Sequence, residues 1–204
     1  MPTAVLPLGT LADAFGRVAR DLRVSLTDRC NLRCSYCMPA EGLDWLPGDD
    51  VLTDAEVIRL IGVAVQRLGV RKLRFTGGEP LLRHGLADII AGASALRTDE
   101  GLAPELSLTT NGLGLDKKID HLAAAGLQRV NISLDSLDRK RYAALARRDR
   151  LDDVLRGLSA VARAGLSPIK VNTVVMRGVN EDDVRPLLEF CLQHGYQLRF
   201  IEQM

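Results

Sequence analysis

Short apolar runs alternate with longer amphipathic stretches along the chain. The runs are five to seven residues long and rich in Val, Ile and Leu, which is typical of buried strands. They predict six strands, at Asp21–Thr27, Lys72–Thr76, Glu105–Thr110, Arg129–Leu134, Ile169–Val175 and Gln197–Ile201. The amphipathic stretches between them predict helices at Thr53–Leu68, Leu81–Leu96, Asp116–Ala125, Arg139–Ala146, Leu151–Ala164 and Glu181–His194.

Local signals mark the ends of several predicted helices. Thr53 and Glu56 have the spacing of a capping box, which begins a helix. Glycine follows the predicted helix ends at Ala125, Ala164 and His194, and a new strand follows each glycine. Strands alternating with helices indicate an α/β fold with a parallel sheet. Periodicity leaves open a doubly wound sheet or a (β/α) barrel, whole or partial.

The composition is that of a globular protein with balanced charge. The 204 residues include 27 basic and 26 acidic side chains, for a net charge of +1, so we expect no nucleic-acid or membrane partner. No apolar run approaches the roughly 20 residues that a membrane span needs. The first residues lack the basic start and long apolar centre of a secretory signal. A cytoplasmic location is therefore expected.

Three of the four cysteines lie in one loop after the first strand. Cys30, Cys34 and Cys37 have the spacing C-x3-C-x2-C, and Tyr36 precedes the last of them. Three thiolates can each hold one iron of a cubane 4Fe–4S cluster and leave the fourth iron open to a small molecule. Structural zinc and redox thiols are the alternatives. Zinc usually takes four ligands, and a disulfide would leave one of the three cysteines unpaired.

Polar residues occur where the predicted strands end, which is where parallel α/β folds bind ligands. The second strand is followed by Gly77, Gly78 and Glu79, so that backbone can approach a ligand and a carboxylate can pair with an amine. Thr109 lies at the end of the third strand, and Ser133 lies on the alternating polar face of the fourth. Ordinary turn and capping chemistry is the alternative for each of these positions.

Three cations lie within predicted strands. A barrel would bring Arg23, Arg74 and Lys170 together, and three cations around one cavity suit a triphosphate or another polyanion. A lysine inside an apolar strand is costly unless it is paired. The alternative is that each cation is exposed at an edge and paired with a nearby carboxylate.

The cysteine motif resembles the signature of the radical S-adenosylmethionine superfamily. Within it, the segments 21–39, 74–80, 108–112, 131–135, 170–172 and 199–202 resemble, in order, the GTP 3′,8-cyclase family of molybdenum cofactor biosynthesis. The resemblance implies a partial (β/α)6 barrel of the TIM type. It also implies S-adenosylmethionine on the open iron, and a 5′-deoxyadenosyl radical that removes the C3′ hydrogen of GTP before C3′ bonds to C8 of guanine.

The resemblance also assigns roles to matching positions. It implies S-adenosylmethionine contacts for Tyr36, for the segment Gly77, Gly78 and Glu79, and for Ser133 and Met204. It implies GTP contacts for Arg23, Arg74, Thr109 and Lys170. Further expected partners are an electron donor such as flavodoxin or ferredoxin, the downstream cyclic pyranopterin monophosphate synthase, and a second copy in a homodimer.

The chain departs from the family pattern in one respect. The family has a second three-cysteine 4Fe–4S cluster that binds guanine, whereas the remaining cysteine, Cys191, lies in a predicted helix and is expected to pack in the core. We therefore interpret the sequence as residues 1–19, an N-terminal extension, and residues 20–204, a barrel core without the second-cluster region. Completion of the cyclisation by this core alone is not expected. A peptide-modifying radical enzyme, a deazaguanine synthase and a zinc-stabilised binding module are the alternatives.

Overall fold

Six parallel strands form one sheet in the computed structural model, which describes residues 9–203. The strands are β1 (Asp21–Ser25), β2 (Lys72–Thr76), β3 (Glu105–Thr110), β4 (Arg129–Ser133), β5 (Ile169–Val175) and β6 (Gln197–Glu202). They are hydrogen-bonded in chain order, from β1 at one edge to β6 at the other. A doubly wound sheet reverses its order at a switch point, whereas a barrel places each strand beside its predecessor. The order therefore identifies a partial (β/α)6 barrel.

The helices lie in the six predicted places. They are α1 (Asp54–Arg67), α2 (Leu86–Ser94), α3 (Ile119–Ala124), α4 (Arg139–Ala146), α5 (Leu151–Arg163) and α6 (Val184–His194). Three of them begin later than predicted, because the 3₁₀ turns Pro80–Leu82, Leu115–Lys117 and Glu181–Asp183 precede α2, α3 and α6. Among residues 9–203, none of the helices has the length and apolar character that crossing a membrane requires.

The predicted helix ends are confirmed by their geometry. The Thr53 hydroxyl accepts a hydrogen bond from the Glu56 N–H at 3.3 Å, and the Glu56 carboxylate accepts one from the Thr53 N–H at 2.8 Å. Gly126, Gly165 and Gly195 have φ angles of +109°, +73° and +69°. These values lie in the region that favours glycine, so each residue reverses the chain toward the next strand.

The sheet has one apolar and one polar face, because side chains alternate along each strand. On the apolar face, residues such as Leu73, Phe75 and Leu108 are fully buried beneath the helices. Helix α1 contributes Val57, Ile61 and Val65 to the same core cluster. The other face carries mainly polar and charged side chains, which the register aligns in rows across the strands. This polar face and the strand ends above it contain the candidate site.

Replacing Gly195 with alanine tests the helix-ending role of its backbone. Gly195 and Gly48 both have open space where a β-carbon would lie, but only Gly195 has a positive φ angle. We expect Gly195→Ala to lower the free energy of unfolding by about 1 kcal/mol through backbone strain alone. Urea denaturation measures the change. An equal effect of Gly48→Ala would contradict this explanation.

Candidate functional site

The loop after β1 contains the three clustered cysteines. Cys30 and Cys34 are half-buried, Cys37 is exposed, and none of them forms a disulfide. The Cys37 N–H donates a hydrogen bond to the Cys34 carbonyl oxygen at 2.9 Å, which makes a tight turn. The thiols lie close enough that Cys30 and Cys37 both contribute to the raised pKa of Cys34. The loop therefore presents three neighbouring sulfur atoms at the carboxyl end of the sheet.

This donor set fits an iron–sulfur cluster. Burial raises the pKa of the Cys34 thiol to about 12 and raises that of Cys30 above its ordinary value, so both carry protons that a metal would displace. Within residues 9–203, no three His, Cys, Asp or Glu side chains are arranged to hold a single metal ion. A cubane does not require such convergence, because each cysteine binds a different iron.

The glycine turn after β2 packs directly against the cysteine loop. The Gly78 N–H donates to the Thr27 carbonyl and the Glu79 N–H donates to the Arg29 carbonyl, both at 2.7 Å. A β-carbon on Gly78 would lie 2.3 Å from the Arg29 oxygen, and one on Gly77 would lie 2.4 Å from the Thr27 oxygen. Because the two glycines have no side chains, the turn can pack closely against the cysteine loop, whether or not a ligand also approaches it.

Glu79 is a buried carboxylate that joins the ends of β2 and β3. It accepts hydrogen bonds from the Leu81 N–H at 2.9 Å, the Thr110 hydroxyl at 2.7 Å and the Asn111 N–H at 2.7 Å. Burial raises its pKa, while these three donors oppose that shift. Glu79 thus has a clear structural role, and its pairing with a ligand amine stays a prediction.

Two strand-end side chains hold the cysteine loop from the sheet side. The Asn111 amide donates to the Asn31 side-chain oxygen at 2.7 Å and lies 4.0 Å from the Cys30 sulfur. On the other side of the loop, the Tyr36 hydroxyl donates to the Asp135 carboxylate at 2.7 Å. Each half of the loop is therefore attached to a different strand end.

The polar face of the sheet carries a cluster of cations. Arg23, Arg74 and Arg129 lie in one row across β1, β2 and β4, with Ser107 of β3 between the last two. Burial lowers the pKa of Lys170, and the nearby Arg199, Arg129 and Arg74 lower it further. The positive charges of these side chains therefore repel one another on this face of the sheet.

Most of this cluster is without a counter-ion. In the described part of the chain, no ion pair is formed by Arg23, Arg74, Lys170 or Arg199, whereas Arg129 pairs with Glu105. These four residues form, with Arg129, what we call the cation cluster.

Several buried polar atoms at the cation cluster lack partners. The Nε atoms of Arg74 and Arg129 and the side-chain oxygen of Asn172 have no hydrogen-bond partner among residues 9–203. Native proteins pair the great majority of such atoms, so a bound group or a water molecule is their expected partner. An anion suits the two arginines.

The remaining predicted residues lie on or beside the same face. Thr109 is half-buried in β3 and its hydroxyl accepts a hydrogen bond from the Asn131 amide at 3.1 Å. Ser133 is half-buried at the end of β4, opposite Asn172 of β5. Met204 lies outside the described residues. The structure therefore brings Thr109 and Ser133 to the polar face that also carries the cation cluster.

Arg129 and Arg199 were missed as candidate residues. Both occupy polar positions of their strands. Arg129 shares a row with Arg74 through Ser107, and Arg199 pairs with Asn172, two residues along the same face from Lys170. The alternation of residues in the sequence already placed both side chains on the polar face of their strands. The order of the strands, which makes them neighbours of Lys170, could not be read from that alternation.

The sequence pattern of the radical SAM superfamily matches residues 24–191. The chain belongs to this superfamily. It is 66% identical over 194 residues to a GTP 3′,8-cyclase of Corynebacterium glutamicum, with 95% of the chain and 52% of the relative aligned. It is 58% identical over 204 residues to a GTP 3′,8-cyclase of a Mycobacterium species, covering all of the chain and 57% of that relative. The chain thus spans about half the length of the curated relatives it matches.

Solved structures share the fold of this radical SAM chain at low sequence identity. A structure of anSMEcpe with bound AdoMet aligns with a TM-score of 0.73 at 18% identity, over 97% of this chain and 52% of the other. Streptococcus suis SuiB bound to S-adenosylmethionine aligns with a TM-score of 0.68 at 18% identity, over 91% of this chain and 41% of the other. These likenesses confirm the partial barrel.

Gly78→Ala tests the close packing between the glycine turn and the cysteine loop of this radical SAM chain. The new methyl group would overlap two backbone oxygens, so we expect the free energy of unfolding to fall by about 3 kcal/mol. Gly62→Ala is the control, because its new β-carbon meets nothing closer than 3.9 Å. Urea denaturation of the metal-free protein compares the two. Equal stability of the variants would show that the turn does not need its glycine.

Proposed function

We propose that this chain generates the 5′-deoxyadenosyl radical and binds GTP in the GTP 3′,8-cyclase reaction, the first step of molybdenum cofactor biosynthesis. The observation that carries the proposal is the cation cluster on the face of a sheet whose carboxyl end holds the three cysteines. The similarity to GTP 3′,8-cyclases over nearly the whole chain supports the choice of substrate.

Cys30, Cys34 and Cys37 would hold a 4Fe–4S cluster through their thiolates. When bound, the cluster supplies the electron that cleaves S-adenosylmethionine to methionine and the 5′-deoxyadenosyl radical. The chain's own part is to hold the three sulfur atoms in place, which the glycine turn does through the bonds of Gly78 and Glu79 to the loop. The partial burial of Cys30 and Cys34 also restricts the access of water to these two thiols.

S-adenosylmethionine would be held around the cysteine loop. The proposed contacts are Tyr36, Gly77, Gly78, Glu79 and Ser133, together with Met204 beyond the described residues. Of these, Ser133 ends β4 with its side chain half-buried on the polar face, where a hydroxyl can bind a carboxylate. The close packing of Gly77 and Gly78 leaves their backbone groups near the loop, which is consistent with a backbone contact to the amino group.

GTP would be held by its triphosphate on the cation cluster. Arg23, Arg74, Thr109 and Lys170 are the proposed contacts. Arg199 joins them because it lies on the same face of the neighbouring strand, where its charge lowers the pKa of Lys170. An anionic ligand would replace the repulsion among these cations with attraction and would provide acceptors for the unpaired arginine nitrogen atoms. Binding there fixes the position of the ribose, from which the C3′ hydrogen is removed before C3′ bonds to C8.

Other radical chemistry is the second candidate. A peptide-modifying enzyme or a deazaguanine synthase would use the same cysteine loop on another substrate. The cation cluster favours a polyanion over a peptide, because a concentrated negative charge relieves the repulsion among the clustered cations.

Several parts of the proposal concern regions or partners outside this site. We propose that residues 20–204 act as the barrel core and residues 1–19 as an extension. A second 4Fe–4S cluster that binds guanine stays an expectation for longer members of the family. An electron donor such as flavodoxin or ferredoxin, the downstream cyclic pyranopterin monophosphate synthase and a homodimer also stay predictions.

Cys34→Ala tests the cluster assignment. We expect the reconstituted parent chain to release 5′-deoxyadenosine from S-adenosylmethionine under dithionite, and the variant to release at least a hundredfold less, since metal sites fail when a thiolate ligand is lost. Chromatography of the nucleoside products measures the release. Cys191→Ala is the matched control, because this cysteine is buried in α6 away from the loop.

Two results would contradict the cluster assignment. One is release by Cys34→Ala at the parent rate. The other is a parent chain that binds zinc tightly and takes up no iron, which would favour the zinc-stabilised module.

Lys170→Met tests the binding of a triphosphate on the cation cluster. Removing a repelled cation is expected to stabilise the ligand-free protein slightly and to weaken the binding of GTP roughly tenfold. Thermal unfolding with GTP, with tripolyphosphate and with guanosine measures both effects at low salt. Lys140→Met, an exposed change on α4, is the control. Equal stabilisation of both variants by GTP would argue against this site.

A further inference from the structure

Two tyrosine hydroxyls lie in the vicinity of the cysteine loop, and they differ in their hydrogen-bond partners. The charge of the Cys34 sulfur contributes to the raised pKa of both Tyr36 and Tyr142, which places both rings near it. The Tyr36 hydroxyl donates to the Asp135 carboxylate at 2.7 Å. The buried Tyr142 hydroxyl has no hydrogen-bond partner in the described part of the chain. Of these two tyrosines, Tyr36 is therefore attached to the sheet through its hydroxyl and Tyr142 is not.

Asp135 is fixed by the ends of two neighbouring strands. It is 7% exposed and its second carboxylate oxygen accepts the Val174 N–H of β5 at 2.8 Å. Its carbonyl oxygen accepts the Asn180 side-chain amide at 2.9 Å. Among residues 9–203, the donors to its carboxylate are the Tyr36 hydroxyl and the Val174 N–H, so the only side chain that binds it is Tyr36. A carboxylate held this firmly is a rigid point of attachment.

Tyr36 lies between Cys34 and Cys37 in the loop. The hydrogen bond to Asp135 joins residues that are 99 positions apart, so it attaches this half of the loop to the β4–β5 end of the sheet. The other half is attached separately, through Asn111 beside Cys30 and through the glycine turn. The Arg33 and Ser35 N–H groups bind the end of α4, on the outside of the sheet.

We infer that Asp135 is a positioning residue for the cysteine loop, and that it holds Cys34 and Cys37 in place through the Tyr36 hydroxyl. The inference rests on the proposed cluster site. A carboxylate is suited to the task because its two oxygens accept one donor each, from the loop and from β5. An amide has one oxygen where the carboxylate has two, so its NH2 group would face one of these two donors.

The test compares Tyr36→Phe with Tyr142→Phe. Both substitutions remove one hydroxyl in the vicinity of the cysteine loop, but only the first breaks a hydrogen bond to Asp135. In the metal-free chain we expect tryptic cleavage after Arg33 to become on the order of tenfold faster in Tyr36→Phe, at a temperature where both variants are folded. Tyr142→Phe should be cleaved at the parent rate. This measurement involves no metal.

The reconstituted chain provides a second measurement. Iron loss to a chelator should also be on the order of tenfold faster in Tyr36→Phe, and the electron paramagnetic resonance signal of the reduced cluster should broaden. Asp135→Asn should retain part of the attachment and fall between the parent and Asp135→Ala. In the Asp135→Ala background, Tyr36→Phe should add no further effect.

The outcomes separate this inference from the proposed function. Equal cleavage and equal iron loss in Tyr36→Phe and Tyr142→Phe would overturn the positioning role, even if the parent chain holds a cluster. Additive effects of Tyr36→Phe and Asp135→Ala would overturn it as well. A parent chain that takes up no iron would refute the proposed function, and the tryptic measurement would still decide whether Asp135 positions the loop.

Discussion

The backbone contact between the cysteine loop and the Gly77–Gly78 turn is the constraint on which the rest of the candidate site depends. Two N–H groups of the turn bind loop carbonyls at 2.7 Å, in a space that would not admit a β-carbon. This contact joins the loop after β1 to the end of β2. Glu79 then joins the end of β2 to that of β3, because its carboxylate binds donors from both. The cysteines are therefore positioned by a series of buried bonds across the sheet.

The two faces of the sheet make opposite contributions to stability. The apolar face buries side chains such as Phe75 and Ile132 beneath the helices, which provides the hydrophobic driving force for folding. The polar face gathers the cation cluster, where burial and mutual repulsion lower the pKa of Lys170 and of Arg129. The proposed polyanion site would need this arrangement, so part of the stability that the apolar face supplies is offset on the polar face.

Local patterns predicted the elements well, because periodicity, capping and glycine stops depend on residues close in sequence. The capping box at Thr53 and the helix end at Gly195 are examples. The choice of a barrel depended on strand order, which periodicity does not encode and which only the resemblance supplied. Arg199 was missed because its neighbours belong to other strands. The contact of Tyr36 with Asp135, 99 residues away, was missed for the same reason.

The cation cluster and two buried carboxylates lie at different levels along the strands. The cations lie on the sheet face within the strands: Arg74 within β2, Arg129 at the start of β4 and Lys170 near the start of β5. The buried carboxylates of Glu79 and Asp135 follow the strand ends, beside the cysteine loop. An anionic group is attracted to the cation cluster, because in the described part of the chain only Arg129 of its five members forms an ion pair. Under the proposed function, a nucleotide would bind with its phosphates on the cation cluster and its ribose toward the cysteines at the strand ends, which is the orientation that hydrogen removal from the ribose requires.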